Sequence, residues 1–117
     1  MRTIKFRGKG RSDRWFYGFY SKSFGEGIIT DEFGDGWIIS TNTVGQFTGL
    51  TDKNGKEIYE GDVIIDETNR KGTVIFYNGC FSFITEFLSI MKVIDKISNV
   101  IGNIYDNPEL SELVEQP

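Results

Sequence analysis

Two Asn-Gly dipeptides, at 54–55 and 78–79, constrain this chain more than any other feature. A two-residue type I′ turn needs positive φ at both central positions, and Asn followed by Gly accepts that conformation best. Around the second dipeptide, Gly72-Thr73-Val74-Ile75-Phe76-Tyr77 and Cys80-Phe81-Ser82-Phe83-Ile84 are rich in β-branched and aromatic residues. Such runs favour a pleated, half-buried surface. The pattern predicts an antiparallel hairpin there. A second turn is predicted at Asn54-Gly55, leading through Gly61-Asp62 into the strand Val63-Ile64-Ile65.

The rest of the chain reads the same way. Ile4 to Arg7 alternates apolar and basic residues, and residues 8–13 are a turn by composition. Residues 14–20, RWFYGFY, form an aromatic strand in which Gly18 marks a bulge or a close backbone approach. Residues 27–30 and 36–40 flank the Asp- and Gly-containing stretch 31–35 and make a hairpin. Residues 66–71 are a polar turn, 86–97 are loop and short strand, and 99–105 are a last strand. Asn107 stands at a cap position and Pro108 at the first helical position, which predicts a terminal helix of one to two turns docked by Leu110 and Leu113. The fold class is therefore all-β, mainly strand with a short C-terminal helix. No internal repeat is evident.

Composition narrows the chemistry. The 117 residues, 13.3 kDa, are one domain's worth, and 38% of them are hydrophobic. There is no His, which removes the commonest general base and metal ligand. The single Cys80 cannot form an internal disulfide, and its neighbours suggest a small core residue. No apolar run suits a signal peptide or a membrane span, so a soluble cytoplasmic protein is expected.

Motifs that could carry catalysis or bind a metal or cofactor fail on spacing. Gly8-Lys9-Gly10 has neither the length nor the helix of a phosphate loop, and Asp13 stands where a dinucleotide fingerprint needs its last Gly. The stretch Asp52 to Glu57 puts Gly and Glu at the wrong positions for a calcium loop. Asp31, Glu32 and Asp35 read as a solvated hairpin tip, and Glu60 and Asp62 as turn residues. No catalytic residue, metal or cofactor is indicated.

Charge is uneven. Residues 1–22 carry a net +6 and the remaining chain −10, within an overall −4. Lys5, Arg7, Lys9, Arg11 and Arg14, with Trp15 and Tyr17, are the candidate interaction surface. Basic residues interleaved with aromatics suit single-stranded nucleic acid. The simpler reading is that this basic segment packs beside an acidic one, within the chain or between subunits. Alternation along the strand puts Trp15, Tyr17 and Phe19 on one face, and Phe16, Gly18 and Tyr20 on the other. Aromatics on both faces of a strand in so small a domain hint at an interface.

From Val44 onward the chain resembles the YopX family of small phage and prophage proteins. The residues that carry the resemblance run from Gly45 to Asp62 (GQFTGLTDKNGKEIYEGD), then Gly72 to Phe76 through Gly79-Cys80-Phe81, and finally Val100 to Leu110 (VIGNIYDNPEL). Ile4 to Arg7 and Trp15 to Gly18 fit the family's opening, and Phe47, where Tyr is usual, departs from it. The resemblance implies one domain over 1–117, with an N-terminal hairpin region, 1–43, forming an additional sheet. Residues 44–114 would form a small β-barrel core, SH3-like, with the terminal helix. It carries over no catalytic residue. The expected function is that of a non-enzymatic phage accessory protein that assembles with itself or with a phage or host protein; nucleic acid is the alternative partner, and no membrane is involved.

Overall fold

The computed structural model describes residues 4–85, 90–92 and 98–111. These form two antiparallel sheets with no helix of seven residues or more, so the chain is all-β. It divides into two compact units, residues 1–47 and 48–117, with the division inside one strand.

In the first unit β1 (Phe6–Lys9), β2 (Trp15–Ser23), β3 (Glu26–Thr30) and β4 (Gly36–Ile39) are successive antiparallel neighbours. The opening residues of β5 (Gly45–Thr51) pair with the free side of β1, Phe6 opposite Gln46 and Arg7 opposite Gly45. The aromatic run does form a strand, and it extends to Ser23. Residues directly opposite in such a ladder share a face. One face thus gathers Phe6, Phe16, Tyr20, Ile29 and Ile39. Phe6 and Tyr20 lie 5.9 Å apart, Phe16 stacks on Trp37 at 4.6 Å, and Ile29 and Ile39 are buried. The other face carries Arg7, Lys9, Trp15, Tyr17 and Phe19.

In the second unit β5 continues from Thr48 and pairs with β6 (Glu57–Tyr59). The other sheet has the order β10-β9-β8-β7-β11, built from β7 (Asp62–Asp66), β8 (Lys71–Tyr77), β9 (Cys80–Thr85), β10 (Ile90–Lys92) and β11 (Ser98–Asn103). Ile58, Ile64, Val74 and Phe83 form the core, with Leu50 and Val100 packed against it. The hairpin predicted at Asn78-Gly79 is present: both residues have positive φ, 52° and 82°, and Tyr77 faces Cys80. Cys80 is half-buried beside that turn, its Sγ 3.6 Å from both the Tyr77 carbonyl and Ser82 Oγ.

Three expectations need adjustment. The turn at Asn54-Gly55 is not type I′, because only Gly55 has positive φ, 84°. It is a longer loop whose first residue, Asp52, organises it. The terminal helix is a single 3-10 turn, Pro108–Ser111, in which Leu110 N–H donates to the Asn107 carbonyl. One such bond does not offset the cost of nucleating a helix; Leu113 lies outside the described residues. No ladder closing either sheet into a barrel is seen among the described residues. A single bridge, Gly10 with Ile39, joins the ends of β1 and β4.

The Asp52 loop recurs. In residues 31–35, 52–56 and 66–70 the leading Asp accepts at Oδ1 from the N–H groups two and four residues on, all at 2.9–3.0 Å. The fourth residue, Gly34, Gly55 or Asn69, has φ of 65–87°. This is a type I turn followed by a left-handed residue. The Asp carboxylate takes up N–H groups that the turn leaves unpaired.

Candidate functional site

The seven candidate residues do not form one exposed basic surface. Arg7 is buried, 5% exposed, with its guanidinium 4.6 Å above the Trp15 ring. Lys9 also approaches Trp15, at 5.7 Å, and pairs with Asp13 at 3.9 Å. Lys5 lies 5.2 Å from the Phe47 ring. Such contacts let cations cover aromatic faces that would otherwise be bare. Only Arg11, Arg14 and Tyr17 of the seven are exposed, and Arg14 caps Phe16 from 5.4 Å on the opposite face. The structure therefore brings Arg7, Lys9 and Trp15 together as a packed cluster and leaves Arg11 and Arg14 on the β1–β2 turn.

A more open feature lies beside that cluster. Ile4, Tyr17, Phe19 and Phe33 are 57%, 45%, 69% and 81% exposed. They border two adjoining grooves of about 210 and 260 Å³ that share Lys5, Gly18, Asp31 and Glu32 in their walls. Gly18 forms the floor for a steric reason: a Cβ there would stand 2.0 Å from the Thr30 carbonyl oxygen. The close approach expected of Gly18 is thus with the β3 backbone. Asp31 is held by its own loop, accepting from Phe33 and Asp35, so its carboxylate has a set position in the wall. The groove is apolar at its base and mixed in charge at its rim, which suits an apolar side chain flanked by charged groups. Sequence alternation placed Tyr17 and Phe19 on this face. It missed Ile4, Phe33 and the acids that complete the groove, although a Phe inside a turn, in DEFGD, was the available signal.

Three buried carboxylates, Asp52, Asp62 and Asp66, belong to the scaffold, Asp62 accepting at Oδ2 from Tyr59 N–H at 2.8 Å. Burial opposes ionisation of Asp52, but N–H bonds from Val100, Lys56 and Asn54, with the Lys56 charge, hold its pKa below the ordinary carboxylate value. At Asp66 the opposing burial is outweighed by the Arg70 and Thr68 N–H groups, the Thr68 hydroxyl and the Arg70 charge. Among the described residues no group of three or more His, Cys, Asp or Glu could hold a metal ion. No helix among them is long and apolar enough to cross a membrane.

Two antiparallel sheets, Asp-led hairpin loops and an apolar groove on the first unit define a small all-β protein. A family model described as YopX protein matches residues 5–112, and the chain belongs to that family. Its fold is similar to that in the crystal structure of protein EF1440 from Enterococcus faecalis, with a TM-score of 0.57 and 23% identity over 94% of this chain and 99% of that one. No curated protein matches the chain.

Proposed function

We propose that this chain is a non-catalytic protein-interaction module that self-associates through the aromatic groove of its first unit, in the cytoplasm of a cell carrying a phage or prophage. The observation that carries this reading is the cluster of Ile4, Tyr17, Phe19 and Phe33, each between 45% and 81% exposed on one small unit. Contiguous exposed apolar surface marks interaction sites in soluble proteins. The packing of Arg7 and Lys9 on Trp15 weakens the nucleic-acid alternative, because stacking on a base requires a bare ring. An SH3-like second unit is part of the proposal.

The reading predicts where a dilution series moves the backbone amide resonances. Between millimolar and micromolar protein, shifts should concentrate on Tyr17 to Phe19 and residues 30–33. Spectra independent of concentration, or shifts centred on Phe76 and Tyr77 of the second unit, would count against it. Adding a single-stranded oligonucleotide at low salt should leave Trp15 unmoved.

A further inference from the structure

At the tip of the β2–β3 hairpin stands Phe24, fully exposed at 104% and with φ of 52°. The turn is the two-residue kind, Ser23 facing Glu26 with Phe24 and Gly25 both at positive φ. Asn or Asp is the usual residue at the first position; a bulky side chain there is a conformational outlier. Backbone strain held at a wholly exposed aromatic points to a role outside the folded chain itself.

We propose, resting on the self-association reading, that Phe24 is an anchor that enters the groove beside Phe19 of a second copy of this chain. Three observations select that occupant. A cavity of about 150 Å³ accepts a benzene ring, and the groove lined by Ile4, Phe19 and Thr30 holds about 210 Å³. The groove wall carries Asp31 and Glu32 together with Lys5, while the exposed Lys22 and Glu26 stand two residues before and after the anchor, so each sign on the tip has its opposite in the wall. The chain's own Phe24 cannot reach its own groove. The hairpin holds five paired rungs, from Ser23 with Glu26 at the tip to Phe19 with Thr30 at the base. Five rungs separate tip and base by about 14–17 Å of stiff ladder. Two copies laid antiparallel along their β2–β3 hairpins bring each tip to the other's base. The two contacts are then equivalent, and the assembly closes as a two-fold dimer.

The test uses the full chain and three variants, with sedimentation equilibrium for mass and circular dichroism for fold. Phe24→Asn creates the favoured Asn-Gly turn, so its melting temperature should equal or exceed that of the wild type. Its dimer dissociation constant should rise about tenfold or more, as for loss of an interface anchor. Phe19→Ser, with Ile4→Ser as a second groove variant, should weaken the dimer similarly. Phe24→Asn mixed with a folded groove variant restores one intact anchor and one intact groove. That mixture should recover two-chain mass at concentrations where each variant alone is single-chain. A Phe24→Asn protein that dimerises like the wild type, or a mixture that recovers no mass, overturns the anchor assignment and leaves self-association standing. A single-chain wild type at all concentrations overturns both.

Discussion

Gly18→Ala is expected to cost the first unit about 3–5 kcal/mol, at the upper end for one added methyl group. The added Cβ would stand 2.0 Å from the Thr30 carbonyl oxygen, 2.8 Å from its carbon and 3.1 Å from Asp31 Cα. All three are backbone atoms, so no rotamer change relieves the contact. The β3 end must move by about 1 Å or more to reach ordinary van der Waals separation. That movement separates Phe19 from Thr30, the last rung of the β2–β3 ladder, and shifts Asp31 in the groove wall. Fluorescence of Trp15 and Trp37 during urea unfolding measures the effect, since both indoles belong to this unit. A Gly18→Ala midpoint within error of the wild type would show that β3 yields freely, contrary to this account.

Asp52→Asn should be nearly as damaging to the second unit, at about 2–4 kcal/mol. The side chain is 3% exposed and accepts three backbone N–H groups: Asn54 and Lys56 at Oδ1, and Val100 at Oδ2, each at 2.9 Å. It thereby ties the β5–β6 loop to β11, a link strengthened by Lys53 N–H donating to the Ser98 carbonyl. An amide has one acceptor oxygen where the carboxylate has two. Its NH₂ group would face either the Val100 N–H or the two loop N–H groups, leaving buried donors without acceptors. The loss corresponds to a fall in Tm on the order of 10–20 °C. It also depends on pH. A carboxyl whose folded pKa lies below its unfolded value stabilises the fold fully above the unfolded value, here near 3.8, and loses that contribution as pH falls through the folded pKa. The deficit of Asp52→Asn should therefore be largest at neutral pH and shrink below about pH 4. A deficit constant from pH 7 to pH 2 would remove the charge from the explanation.

The strand content was legible because it rests on local signals. Asn78-Gly79 between β-rich runs became the hairpin it announces, and alternation in residues 15–20 separated the two faces. Asn54-Gly55 misled because its dipeptide signal competes with Asp52, whose carboxylate favours a longer loop by accepting two of that loop's N–H groups. The same Asp-led loop at residues 31–35 and 66–70 was equally open to reading, since Gly or Asn stands three residues after each Asp. The helix drawn from Asn107-Pro108 overstated what four residues can nucleate. In the candidate site, charge counting named the basic residues but not how they pack. Net charge by segment does not show that Arg7 is buried on Trp15, which depends on the register of β1 against β2. The groove itself joins the start of the chain, β2 and the loop after β3. Only the fold brings Ile4, Phe19 and Asp31 together.

Self-association of this chain is tested most directly by sedimentation equilibrium of the full chain from micromolar to millimolar concentration. The expected mass rises from the 13.3 kDa of one chain to twice that value. A mass that stays at one chain throughout would contradict it.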